Sequence, residues 1–236
     1  MKYYSQDGQD KYLIEKIFNF KRDGFFIDIG AHDGVSFSNT YTLEKDLDWK
    51  GICVEPNPEI YKLLSVNRNS INLNCCIANF EKEVEFVSVE GYGSMLSGIL
   101  DFFDKNYLKR IDETIKEFGG QKNVIKLDAR PLKIITRNNN ISYVDYCNID
   151  VEGGEIEVLK SIDFNQTYIK IFSIENAFST SKVMRYLKKY NYSLIAKVGI
   201  DEFYEKDSSR IFLKLNMKIY LIKRILIKIK QKLFVL

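Results

Sequence analysis

Only 3 prolines occur in 236 residues, and no stretch is rich in both glycine and serine. No linker is therefore visible. A chain of 27.6 kDa is long enough for one sizeable α/β domain and short for two. No window reaches 18 uncharged apolar residues, which excludes an ordinary transmembrane helix. The opening MKYYSQDGQDKYL lacks the apolar core of a secretion signal, so a cytoplasmic location is expected. The four cysteines, Cys53, Cys75, Cys76 and Cys147, form no CxxC pair. Three of them lie in apolar runs that read as buried strands, and reduced core thiols are expected rather than structural zinc. Histidine is almost missing, with His32 the only one. No repeat of solenoid or propeller period is present.

Acidic residues run out before the chain does. None follows Asp207, whereas eight basic residues do, from Arg210 to Lys232. The net charge is +3, with 35 basic and 32 acidic residues. Setting those eight aside leaves 27 basic against 32 acidic, a body of −5. Such a body is a poor general binder of nucleic acid.

What is present is an alternation of apolar runs with helical patterns, the mark of βαβ units and a mostly parallel sheet covered by helices on both faces. Gly8 to Phe20 reads as a leading amphipathic helix, Phe25 to Ile29 as the first strand and Ser38 to Lys45 as a helix. Gly51 to Val54 reads as the second strand. In EPNPEIYKLL, Asn57 is placed to cap a helix that Pro58 begins. Asn72 to Ala78 is expected as the third strand, and the alternation of Glu83 to Val89 as another, antiparallel one. Residues 91–123, containing GYGSMLSG, interrupt the pattern and read as an insertion that covers the cleft as a lid. The pattern then resumes with a short strand at Val124 to Leu127 and a short helix at Pro131 to Thr136. Tyr143 to Ile149 and Ile169 to Ile174 read as core strands, each followed by a helix, at Glu155 to Ser161 and about Ser181 to Tyr190. Two last strands, near Tyr192 to Val198 and Glu202 to Glu205, close the domain.

FFIDIGAHDGVSFSN (residues 25–39) ends the first strand in Asp28 and turns through Gly30 and Gly34. In open sheets of this kind ligands sit beyond the carboxyl ends of the strands. The second strand ends in Glu55, where a carboxylate suits the two hydroxyls of a ribose. A dinucleotide would favour G-x-G-x-x-G. The spacing here is D-x-G-x-x-x-G, and Asp28 and Asp33 repel phosphate but suit a cation. S-adenosylmethionine, with a sulfonium, an ammonium, a ribose and no phosphate, matches; a dehydrogenase is disfavoured.

SQDGQDKYL (5–13), GFFIDIGAHDGVSFSNTYTLEKDLDWKGICVEPNP (24–58) and YCNIDVEGGEIEVLKSIDF (146–164) resemble, in order and spacing, three blocks of the FkbM family of methyltransferases. The resemblance implies a class I, S-adenosylmethionine-dependent methyltransferase fold with a seven-stranded sheet, over about residues 1–206. It implies O-methylation, commonly of sugar hydroxyls in surface glycans or of natural products. The methyltransferase domain is expected over residues 1–213, with the tail 214–236 outside it. Asp28, Gly30, His32, Gly34, Asn39 and Glu55 are the expected cofactor residues, joined by Asp10 and by Asn79 just past the third strand.

Methyl transfer to an alcohol also needs a base or a metal to manage the proton. NIDVEGGE brings Asp150 and Glu152 to the end of one strand, and SIEN brings Glu175 and Asn176 to the end of the next. Asp150, Glu152 and Glu175 are the catalytic candidates, and Asp150, Glu175 and Asn176 form an oxygen-rich set suited to Mg²⁺. The plain alternative for Asp150 and Glu152 is a helix cap and first-turn charge. His32 can act as a base but sits in the cofactor loop. A non-catalytic adaptor built on the same fold has no need of these carboxylates, which favours an enzyme.

The tail MKIYLIKRILIKIKQKLFVL (217–236) places Ile219, Ile222, Ile225, Leu226, Ile229 and Leu233 on one helical face. Lys223, Arg224, Lys228 and Lys230 share the other. Such a helix lies in a membrane interface; the alternative is packing on the domain or on a twin subunit as a homodimer. Deleting residues 217–236 should abolish sedimentation with anionic vesicles at low salt. Full-length protein that ignores those vesicles would make the tail structural.

Overall fold

The apolar run Phe25–Ile29 forms β1, with four of its five residues buried. The computed structural model describes residues 1–176 and 180–207, so the tail lies outside the described residues. The remaining strands are β2 (Lys50–Val54), β3 (Ile71–Leu73), β4 (Cys76–Ile77), β5 (Lys82–Val89), β6 (Gly98–Ile99), β7 (Lys122–Arg130), β8 (Tyr143–Ile149), β9 (Tyr168–Glu175), β10 (Tyr192–Val198) and β11 (Asp201–Lys206). The helices are α1 (Gln9–Tyr12), α2 (Tyr41–Leu47), α3 (Pro58–Asn67), α4 (Lys105–Phe118), α5 (Leu132–Asn138), α6 (Glu155–Lys160) and α7 (Lys182–Lys188). A π-wound turn, Leu13–Ile17, prolongs α1. No described helix is long and apolar enough to cross a membrane.

Seven strands form one sheet in the order β10-β11-β9-β8-β1-β2-β3. Its core is parallel, and β11 runs antiparallel to both β9 and β10. Strand order reverses at β1, flanked by β2 and β8, so the carboxyl ends of these strands open the crevice. Side chains alternate across the sheet. Ile27, Ile29, Cys147 and Ile149 enter one core layer, while Phe26 and Tyr146 enter the other with Leu13, Ile14 and Trp49. The same alternation sends Asp28, Asn148 and Ser173, aligned by register, to the second face at its carboxyl end.

Asn57 and Pro58 start α3 as expected, the Asn57 side chain accepting from Glu59 N at 3.0 Å. The helix expected from Ser38 starts at Tyr41 instead. Ser38 Oγ accepts from the amides of Thr40 (3.2 Å) and Tyr41 (3.1 Å) and so ends the loop rather than joining the helix. The third strand is not continuous. Asn74 donates to the carbonyls of Glu55 (2.8 Å) and Pro56 (2.7 Å). This tie bends the chain out of the main sheet after β3, and β4 pairs with β7 instead. The second sheet, β4-β7-β5-β6, carries the insertion. β5 is antiparallel as expected, and β7 is longer than the alternation suggested. The insertion packs on β5 in a separate core, with Val87, Val89, Leu96, Tyr107 and Ile111 buried. The four cysteines are free and buried.

One buried cation fastens these layers. Arg68, 3% exposed, donates to Glu44 Oε2 (2.8 Å), Gly34 O (3.0 Å) and Thr40 Oγ1 (3.0 Å). Burial raises the Glu44 carboxyl, but the Arg68 charge and the Asn69 amide outweigh it and hold Glu44 below the usual range. Arg68→Met would leave the Glu44 carboxylate with only Lys45 and the Asn69 amide. Breaking such a pair from one side costs about 3–5 kcal/mol. Urea unfolding should register that loss, and a change below about 1 kcal/mol would show that the pair does not hold the loop.

Candidate active site

Where β1 ends, the backbone has no room for side chains. Gly30 has φ +86°, and a Cβ there would lie 1.7 Å from the carbonyl oxygen of Asp150. The amides of Gly30 and Ala31 both donate to Val54 O (3.0 Å), and Asp150 N donates to Ile29 O (3.0 Å). The loop is thus stitched across three strand ends, and Gly30 lines the cavity above them. Gly34 does not line it. A Cβ on Gly34 would lie 2.6 Å from Arg68 Cγ and 2.7 Å from Leu64 Cδ1, so this glycine makes room for the buried arginine rather than for a cofactor.

Asp28 is buried and begins a chain of polar contacts. Its Oδ2 accepts from Thr40 Oγ1 (2.5 Å) and its Oδ1 from Asn148 Nδ2 (2.9 Å). Asn148 Oδ1 then accepts from Ser173 Oγ (2.6 Å) and Asn39 Nδ2 (3.0 Å), and Asn39 Nδ2 also faces Asp201 Oδ2 at 3.5 Å. Asp28, Asn39, Asn148 and Asp201 all line a cavity of about 280 Å³. Burial pushes the Asp201 carboxyl up to about 6, although hydrogen bonds from Gln9 and Asn39 pull it back.

Glu55 is held at the β2 end by two backbone amides, His32 N (3.0 Å) and Asn57 N (2.8 Å). Burial pushes it up to about 7 against those donors. Two lone-pair directions of the carboxylate remain for a ligand. His32 contributes its amide to Glu55, and its ring Nε2 lies 3.3 Å from Ser94 Oγ in the insertion. It joins the loop after β1 to the insertion, on the cavity wall.

Beside Gly30 stand three carboxylates. Asp150, Glu152 and Glu175 each offer an oxygen within 4.8 Å of the others. Asp150 is exposed as a residue but closely crowded at its carboxyl, and that desolvation, with the charges of Glu175 and Glu152, raises it above the usual range. Burial also raises Glu152, against a hydrogen bond from Tyr107 and the charge of Arg110. Glu175 is pushed up to about 8 by burial and then by Glu152. Glu152, Glu175, Phe102 and Arg110 also line a second cavity of about 540 Å³. The two cavities therefore meet at the carboxylates.

Three further expected residues stand off the first cavity. Asn176 is engaged by Thr180, accepting from its N (2.9 Å) and donating to its O (2.9 Å), and it lines the second cavity with Glu152 and Glu175. The Asp10 carboxylate is saturated by the amides of Tyr4 (2.6 Å), Ser5 (3.3 Å) and Lys11 (2.7 Å) and by Ser5 Oγ (2.6 Å). It folds the N-terminal segment back, and Gln6 and Gln9 reach the cavity in its place. Asn79 is displaced because the chain enters the second sheet at β4, which leaves Cys76 and Ile77 on the wall. Sequence reasoning missed Asn148, Asp201, Tyr107 and Arg110. The alternation of YVDYCNID could have placed Asn148 on the face of Asp28; no local signal marks the other three.

A family model described as the methyltransferase FkbM domain matches residues 28–194. Comparison with curated protein sequences gives no match. Among solved structures, a methyltransferase FkbM from Methylobacillus flagellatus KT is similar over 86% of this chain, at 14% identity and a TM-score of 0.51. This chain spans about half of that protein, 48% of its length. A precorrin-6y C5,15-methyltransferase from Geobacter metallireducens GS-15 is similar over 78% of this chain and 79% of its own, at 12% identity and a TM-score of 0.37. A human methyltransferase 10 domain containing protein is similar over 83% of this chain and 80% of its own, at 12% identity and a TM-score of 0.39.

The raised carboxyls give the fold a definite response to pH. Glu55 and Glu175 sit at about 7 and about 8 against 4.5 when unfolded, so the folded chain keeps protons that the unfolded chain has released. Their contribution to stability is complete below pH 4.5 and is lost as pH climbs through 7 and 8. Glu175→Gln removes one such group and its repulsion. The variant should gain on the native protein by at least about 1 kcal/mol between pH 4.5 and 8.5 in urea unfolding. A difference independent of pH would refute this origin.

Proposed function

Since the chain belongs to the FkbM methyltransferase family, we propose that it transfers the methyl group of S-adenosylmethionine to a hydroxyl of an acceptor seated in the second cavity. A sugar of a surface glycan or glycolipid precursor is the acceptor class. The observation that carries this reading is the meeting of two cavities at Glu152 and Glu175, with Asp150 beside them. A two-substrate transfer needs such a junction, with a proton acceptor at it.

The first cavity suits this cofactor. Glu55 has lone pairs left for ribose hydroxyls, and Pro56, Ile77, Phe86, Leu96 and Ile99 offer an apolar stretch for a purine. Arg110 is the one arginine or lysine on its described wall, a poor provision for a pyrophosphate and a good one for a cationic ligand. When bound, the cofactor supplies a methyl group already activated on sulfur. The chain's share is alignment and proton removal. Glu175, at about 8, is matched to taking a hydroxyl proton near neutrality. Glu152, oriented by Tyr107, can position that hydroxyl. The domain of residues 1–213 would carry the reaction, and the basic tail would bring it to an anionic lipid surface.

A second reading of the same carboxylates is that they hold Mg²⁺, since three hard oxygens converge within 4.8 Å. Full activity in EDTA would leave them as base and positioning groups.

Glu55→Ala should weaken S-adenosylmethionine binding by roughly 1–3 kcal/mol in calorimetry. Unchanged affinity in a folded variant would remove Glu55 from the cofactor site. Asp150→Asn and Glu175→Gln should lower turnover far more than cofactor affinity. Mass spectrometry of surface glycans from cells with and without the protein should reveal the loss of a methyl group. Unaltered glycans would redirect the search to natural-product or other small-molecule acceptors.

A further inference from the structure

Asn39 Oδ1 is a buried acceptor with no hydrogen-bond partner, on a residue 7% exposed that lines the first cavity. Its direction is fixed. Because Asn39 Nδ2 faces two acceptors, Asn148 Oδ1 and Asp201 Oδ2, exchanging the two ends of the amide would set oxygen against oxygen twice. Asn148 cannot be reversed to relieve this, because its own Nδ2 is committed to Asp28. A buried acceptor left bare is costly until a donor arrives. Beside it, Asp201 is 6% exposed on β11, and a carboxylate so placed favours a cation. No lysine lines this cavity among the described residues, so no ammonium of the chain's own is at hand.

We propose that Asn39 and Asp201 form the seat of a primary ammonium, the amino group at the amino-acid end of S-adenosylmethionine. The inference rests on the cofactor reading above and extends it to a residue that no motif marks. Both residues line the first cavity and neither lines the second, so the occupant shares its space with whatever Glu55 holds. Asn39 lies over Asn148 on β8, and Glu55 ends β2, two strands away. That span is roughly 10 Å, about the reach from a ribose hydroxyl to the amine of the extended cofactor. The seat therefore reads the end of the ligand farthest from its base, and it distinguishes the intact cofactor from adenosine thioethers lacking the amine.

The test compares three ligands that are all uncharged at sulfur: S-adenosylhomocysteine, its des-amino analogue 5′-S-(3-carboxypropyl)-5′-thioadenosine, and 5′-methylthioadenosine. In calorimetry the native protein should bind the first about tenfold or more tighter than the second. Asn39→Ala and Asp201→Asn should each bring that ratio towards one while leaving 5′-methylthioadenosine affinity unchanged, which also reports an intact fold. A native ratio near one, or a ratio that survives in both variants, overturns the ammonium seat and leaves the cofactor reading standing. Failure of the native protein to bind any of the three overturns both.

Discussion

The buried carboxylate of Asp28 sets the direction of the polar groups around the site. A carboxylate only accepts, so it obliges Asn148 to present its NH₂ and Thr40 its hydroxyl. Asn148 is then left with an oxygen to offer, which takes the NH₂ of Asn39, and Asn39, on the cavity wall, is in turn left with a buried oxygen that has no partner. One charge, repeated through two amides, thus fixes which end each side chain turns to the next. Three layers of the fold must be in register for this: β1, β8 and the loop that α2 ends. The register of β1 on β8 places Asp28 opposite Asn148. A slip of one residue would turn both towards the other core layer.

Arg68 anchors the loop from outside that chain of contacts. It reaches from the end of α3 beneath Gly34 and pairs with Glu44 on α2, so the loop bearing Asn39 and Thr40 is clamped from both sides. The loop is consequently a rigid part of the wall, in keeping with its short contacts to Val54 and Glu55. The opposite wall is built differently. It comes from the insertion, which packs on β5 in a separate core and touches the carboxylates through Tyr107.

Much of this architecture is legible in the sequence. Phe25–Ile29 and Tyr143–Ile149 are strands at the residues where the apolar runs place them, and Asn57 caps the helix that Pro58 opens. Glu55, Asp150, Glu152 and Glu175 reach the cavity because strand ends in a doubly wound sheet must. What escapes local reading depends on contacts between distant parts of the chain. Gly34 answers to Arg68, 34 residues later. The break after β3 answers to the amide of Asn74 gripping another turn. Asp201 reaches the site only because β11 inserts antiparallel between β9 and β10, and no spacing in the sequence announces that.

The raised carboxyls of the cavity bear on more than unfolding. At neutral pH Glu55, at about 7, is near half-protonation, and Glu175, at about 8, is mostly protonated. Any cation that enters favours their ionised forms, so its arrival expels protons into the surrounding medium. The heat of binding therefore contains the ionisation heat of whatever buffer receives those protons. Uptake of a cationic ligand is an exchange of positive charge as much as a docking of shapes, and acidification opposes it by mass action even where every contact is intact.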